Sequence, residues 1–426
     1  MGPWTKCFWV VYFITVALPL HASNNFLSWI TIGGSYTYIH VALLVLLVHA
    51  CVRSYSNARI TLVNCLCVVF ILLQGIALLT GGADMRAALS DFGRYLLAVL
   101  FLVLSRTRRF GKADLRFFLY LSLIAILFNC CINVVMNVTQ WQVWGLVYFN
   151  SDLRTGGGYY SLLIFLIPYA LFCLLNDQRK VGPIFFMALV TVAFIGVLFA
   201  KSRSTLLFTA IGCLAVLLVN LFNVRSRSFA SHLLEGFIIA VLGFVFFSVF
   251  MSGGSDLAQR FLNTSASLTD NSDTLYTRVI TSQYYLNQIL NSPLGQGFGA
   301  SMMKLYNLGA WDYQTLAYEI DNAPITFGYH VGILGLISYI FMLVSPIVGV
   351  ARVRDAGKDR KIALIICYSM LLFATGILTS QCIHSYPVVA FVWTFIGLTL
   401  DKTTFEESEA ALIEDLSIGD TVTLQS

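Results

Sequence analysis

Charge is scarce in this chain: only 11% of its 426 residues are Asp, Glu, Lys or Arg, while 58% are hydrophobic. A soluble domain carries about 25% charge and rarely exceeds half apolar. A water-soluble globular fold is therefore not expected, and the composition, with a mean hydropathy of +0.80, points to a polytopic membrane protein. Ten cysteines are present, but there is no C-x-x-C and no Cys/His spacing that fits zinc. Cys51, Cys65, Cys67, Cys130, Cys131, Cys173, Cys213 and Cys367 fall in or beside apolar runs and read as small hydrophobes, not a disulfide framework. No internal repeat of the kind found in inverted-repeat transporters is visible. The centres of the apolar runs are nearly free of Asp, Glu, Lys and Arg, which also argues against a transport path at the bilayer midplane.

A membrane-spanning helix needs about 20 mostly apolar residues. Twelve runs approach this: 8–20, 36–52, 60–79, 92–105, 115–136, 158–175, 183–200, 205–222, 233–251, 325–349, 361–378 and 386–400. The expected fold is all-α, with about twelve transmembrane helices. Residues 1–251 hold nine of them, 252–324 form one large loop, 325–400 hold three more, and 401–426 form an acidic tail. The first run also reads as a signal peptide, given Lys6 and Ala22-Ser23. The side of the membrane on which later loops lie is the same on either reading.

Lys and Arg collect in cytoplasmic loops. With the N-terminus inside, 18 of the 26 cations fall in inner segments. The outer ones are Arg86, Arg94, Arg154, Lys201, Arg203, Arg260, Arg278 and Lys304. The net charge of +5 thus follows topology and does not indicate nucleic acid. Both termini are expected in the cytoplasm. The tail, with Glu406, Glu407, Glu409, Glu414 and Asp415, has the composition of an unfolded segment.

Outer cations need a reason. Lys201-Ser202-Arg203-Ser204 sits between two apolar runs with almost no loop, at the level of the lipid headgroups. Ser202 or Ser204 can cap a helix beginning near Thr205, whose free N–H groups attract an anion. Lys201 and Arg203 add full charges, and Arg grips phosphate with two donors. Snorkelling cations anchoring a helix end are the plain alternative.

In the large loop, the spacing of 274–290 predicts an amphipathic helix, lying on the membrane or over the bundle and ending before Pro293. It carries Arg278, either a solvated charge or a second anion clamp. The turn Pro293-Leu-Gly295-Gln-Gly297-Phe-Gly299 lets backbone approach a ligand closely at Gly297 and Gly299. Asp321 or Asn322 can cap the next helix, with Pro324 in its first turn. Asp321 is also a candidate general base. His330, inside that helix, is either a satisfied bundle residue or a titrating group. Arg154, in a smaller outer loop with three glycines, is a weaker candidate for substrate binding. Tyr284, Tyr285, Trp311 and Tyr313 lie at the outer side, as an interfacial belt or as platforms for sugar rings. Most of the 33 phenylalanines read as lipid-facing bulk.

Three segments together resemble the O-antigen ligase/polymerase family of bacterial membrane glycosyltransferases. AKSRSTLL is similar to a Ser-Arg motif that opens a helix after a short outer turn. TRVITSQYYLNQILNSPLGQGFG is similar to a periplasmic stretch with Arg followed about 15 residues later by a glycine-dense turn. DNAPITFGYHVGILGLISYIFML is similar to a helix start followed by Gly-x-x-Gly. The likeness covers roughly 196–345, in order and spacing. The ligase branch has His before the Asn, where this chain has Asp321, which favours a repeat-unit polymerase.

The resemblance implies a GT-C-like arrangement in the bacterial inner membrane with a periplasmic 252–324. The donor and acceptor would be glycans on undecaprenyl pyrophosphate, and a chain-length regulator would be the usual partner. The acceptor hydroxyl would attack the anomeric carbon and lipid pyrophosphate would leave. Arg203 and Arg278 would hold that pyrophosphate with help from Lys201, while Asp321 orients or deprotonates the acceptor and His330 contributes less. No outer Asp-x-Asp is present, so no metal or other cofactor is expected. Two alternatives stand beside this: a ligase that transfers finished glycan to lipid A core, and a flippase or other transporter of lipid-linked oligosaccharide.

Overall fold

The computed structural model describes residues 62–81, 85–105, 161–175, 203–221, 274–305, 311–317, 320, 322–352, 358–378 and 388–399. It also describes residues 31–32, 36–37 and five isolated positions before residue 50. The spans expected at 115–136, 183–200 and 233–251, most of 8–20 and 36–52, and the acidic tail lie outside these residues.

What is described is mostly helical. The helices are α1 (Leu62–Leu79), α2 (Met85–Ser105), α3 (Leu163–Leu175), α4 (Arg203–Leu221), α5 (Thr274–Asn291), α6 (Ala323–Val331), α7 (Ile333–Arg352), α8 (Lys358–Leu372) and α9 (Val388–Thr399). Two small antiparallel hairpins accompany them. Strand β1 (Thr31–Ile32) pairs with β2 (Tyr36–Thr37), at the start of the expected second span. Strand β3 (Met302–Leu305) pairs with β4 (Trp311–Ala317), with a bulge between Met303 and Lys304. The second hairpin lies inside the large loop, and the sequence reading did not anticipate it.

Three expected boundaries change. Helix α2 begins at Met85 rather than at residue 92. Helix α4 begins at Arg203, which places Ser204 inside its first turn and not at the cap. The run 325–349 is two helices, broken at Gly332, where φ is 91°. That φ is readily adopted only by glycine. By length and composition α7 can cross a membrane.

The core joins two groups of helices. Helices α1, α2, α6, α7 and α9 pack together, as do α3, α4 and α8, and α7 packs on α8. Small residues allow the closest approaches. A Cβ on Gly397 of α9 would collide with Ser105 at the end of α2, and one on Gly349 of α7 would collide with the carbonyl of Thr399. Gly212 of α4 lets that helix pass Pro168, which stands inside α3.

Aromatic rings fill the first group. Phe327 stacks on Tyr339 at 4.9 Å and on Phe70 at 5.3 Å, and Phe70 stacks on Trp393 at 5.6 Å. Phe70, Phe101, Phe298 and Phe327 are fully buried. These four do not face lipid: their rings hold helices to one another, each pair adding about 0.5–1.5 kcal/mol beyond the area it buries.

Candidate functional site

Helix α5 ends at Asn291, two residues before Pro293, because proline cannot continue a helix. Its buried face carries Thr281, Tyr285 and Ile289. Tyr285 meets Tyr329 of α6 edge-on at 5.0 Å, so α5 lies over α6. Tyr285 is 2% exposed, which makes it a packing residue and not a sugar platform. Arg278, two turns earlier, is half-buried.

The glycine-dense turn after α5 is knotted into the break between α6 and α7. A helix end leaves its last four carbonyls without intrahelical partners. Here Tyr329 O accepts from Gln296 N at 2.8 Å, and His330 O accepts from Gly297 N at 2.9 Å. Ile333 N, at the start of α7, donates to Pro293 O at 2.9 Å, and Gly332 N returns to Gly328 O at 2.7 Å. The same turn closes α1, whose Ala77 O accepts from Phe298 N at 2.9 Å. One short segment therefore satisfies three helix ends.

Gly295, Gly297 and Gly299 all have φ near +80°. A Cβ on Gly297 would collide with Gly81 Cα, and one on Gly295 would lie 2.6 Å from His330 O. The close approach that glycine allows at 295 and 297 is thus to the chain's own backbone. That accounts for Gly297 without a ligand.

His330 is 1% exposed, and its Nδ1 lies 2.9 Å from Gly297 O. A carbonyl only accepts, so Nδ1 carries a proton and donates it to Gly297 O. The ring is flanked by Phe298 and Tyr329. The geometry makes His330 a clamp on the turn.

Asn322 is the cap of α6: its Oδ1 accepts from Ile325 N at 3.2 Å, with extended backbone and Pro324 behind it. This settles the choice between Asp321 and Asn322 as cap. The corner is tightened by Thr326, whose hydroxyl sits between the N–H and the carbonyl of Ile320 at 3.3 and 3.4 Å. Asp321 itself, like Lys201, Ser202 and Arg154, lies outside the described residues.

Arg203 opens α4. Helix α8 runs on into a π-helix, Phe373–Leu378, where Thr375 Oγ1 donates to Leu371 O at 2.7 Å. The π-helix packs on both α4 and α6, with Phe373 5.6 Å from Phe208. Such helices are rare and frequently sit at functional sites. The elements carrying Arg203, Arg278, Asn322 and His330 therefore adjoin one another: α5 on α6, α6 on the π-helix, and the π-helix on α4. Gly332, Gly81 and the π-helix escaped the sequence reading. Only the repeated glycines at 328, 332 and 335 hinted at the first.

No protein-family model matches the chain, and no curated protein matches it.

Proposed function

We propose that the chain is a polytopic inner-membrane glycosyltransferase. It joins undecaprenyl-pyrophosphate-linked oligosaccharide repeat units at the periplasmic face, with about twelve transmembrane helices. The observation that carries this reading is the packing of the three motif-bearing segments. Helix α4, helix α6 and the α5 turn are separated in sequence, yet they belong to elements in contact: the turn on the end of α6, and the π-helix on both α6 and α4.

Helix direction lends further support. The ends of α2, α7 and α9, all assigned to the inner side by charge, meet through Ser105, Gly349, Gly397 and Thr399. The end of α1, assigned to the outer side, meets the turn at 297–298.

In this reaction an acceptor sugar hydroxyl attacks the anomeric carbon of the donor. The C–O bond to the lipid pyrophosphate breaks, and the departing pyrophosphate takes the electron pair. Arg203, the first-turn N–H groups of α4 and Arg278 stabilise that growing charge, because donors placed in advance cost no reorganisation. Asp321, beside the cap Asn322, accepts the hydroxyl proton. The rigid turn beneath α5 holds the arginine-bearing helix against α6.

The test is Arg203→Ala and Arg278→Ala in a strain dependent on this protein. Each is expected to reduce long-chain polysaccharide to single-repeat forms at normal protein level. Normal long chains with both variants would sink the clamp. Accumulation of undecaprenyl-linked polymer instead would assign the ligase reaction.

A further inference from the structure

Helix α5 has three sides, where an amphipathic helix on a soluble protein has two. Thr281, Tyr285 and Ile289 face the bundle. Gln283, Asn287 and Asn291 form a polar exposed edge. Between them runs an exposed apolar strip, Val279, Leu286 and Leu290, at the i, i+7, i+11 spacing of one helix face. The strip does not stop with the helix. Leu290 is 58% exposed and Leu294, in the following turn, is 82% exposed.

This surface continues onto α7. The bond from Ile333 N to Pro293 O sets Leu294 beside the start of α7. From there Leu334, Ile337, Phe341, Val344 and Val348 form one outward apolar face along the helix. Helix α7 is long and apolar enough to span a bilayer. An exposed apolar face that joins a spanning helix to a strip flanked by amides fits one boundary, that between acyl chains and headgroups.

We infer that α5 is an interfacial helix, seated on α6 by one side and immersed in lipid by the next. Val279, Leu286, Leu290 and Leu294 enter the acyl region, and Gln283, Asn287 and Asn291 remain in water. The partner is the phospholipid bilayer itself. The inference rests on the membrane reading above and adds a depth to it. Arg278, seven residues before Tyr285, lies on the bundle face of α5 and not on the lipid strip.

The experiment places p-benzoylphenylalanine singly at Leu290, Leu294, Ile337 or Asn287, all exposed positions. The full chain is reconstituted in phosphatidylethanolamine–phosphatidylglycerol vesicles, irradiated, and analysed by mass spectrometry. Phospholipid adducts are expected at 290, 294 and 337 and not at 287. Adducts at 337 with none at 290 or 294 would overturn the inference, as would an adduct to a second copy of the chain at those positions. Adducts at 287 would show the helix submerged, which also overturns it. No adduct at 337 would remove the membrane reading beneath it.

Discussion

Gly297→Ala tests the knot at the α6–α7 break. The new methyl collides with Gly81 Cα and lies 2.6 Å from Gly81 N and 2.8 Å from the Thr80 carbonyl carbon. All three are backbone atoms, which cannot swing aside as a side-chain tip does. The residue must also hold φ at +79°. A left-handed conformation costs a non-glycine residue about 1–2 kcal/mol, and overpacking typically costs about 1–3 kcal/mol. The expected loss is therefore about 2–5 kcal/mol if the turn stays in place. Gly75→Ala is the control. It lies in the interior of α1 with no atom within 4 Å of the new methyl, so it should stabilise by about 0.5–1 kcal/mol. Equilibrium unfolding in mixed micelles measures both. A loss below about 0.5 kcal/mol for Gly297→Ala, the range of an ordinary surface change, would refute the packing account.

Two other changes probe the same corner. His330→Phe removes the donor to Gly297 O and should cost about 1–3 kcal/mol, with faster hydrogen–deuterium exchange across 293–299. His330→Asn keeps a donor near Nδ1 and should leave that exchange closer to the parent. Asn322→Ala should cost about 1 kcal/mol through loss of the cap, whereas Asn322→Ser should retain most of it. Loss of polymer with Asn322→Ser at normal stability would show that Asn322 also touches substrate.

Local signals were legible where the physics is local. Pro293 marks the end of α5, Asn322 and Pro324 mark the start of α6, and the apolar runs mark α1, α3, α4 and α9. The break at Gly332 was not legible, because Val331 and Ile333 continue the apolar run without a polar interruption. What ends α6 is a set of partners from Pro293 to Gly297, more than thirty residues away along the chain. The role of Gly297 was hidden for the same reason: its neighbour, Gly81, is more than two hundred residues distant. At the site, the contacts of Asn322 and His330 are with the chain itself.

A break in a helix frees backbone groups that need partners wherever water is excluded. At the α6–α7 break Tyr329 O, His330 O and Ile333 N find partners in the turn after α5, at Gln296, Gly297 and Pro293, while Gly328 O is met by Gly332 N. The turn is thus bound to the break as closely as two paired strands, and α5 is held by it. A rigid junction of this kind suits a site whose task is to hold charge in place, since donors that move must be reorganised in each turnover. The order of dependence follows. Loosening the turn by His330→Phe should shift α5, and with it Arg278, whereas Arg278→Ala should leave the turn intact. Exchange protection at 293–299 therefore falls in the first variant and holds in the second, even if both shorten the polysaccharide.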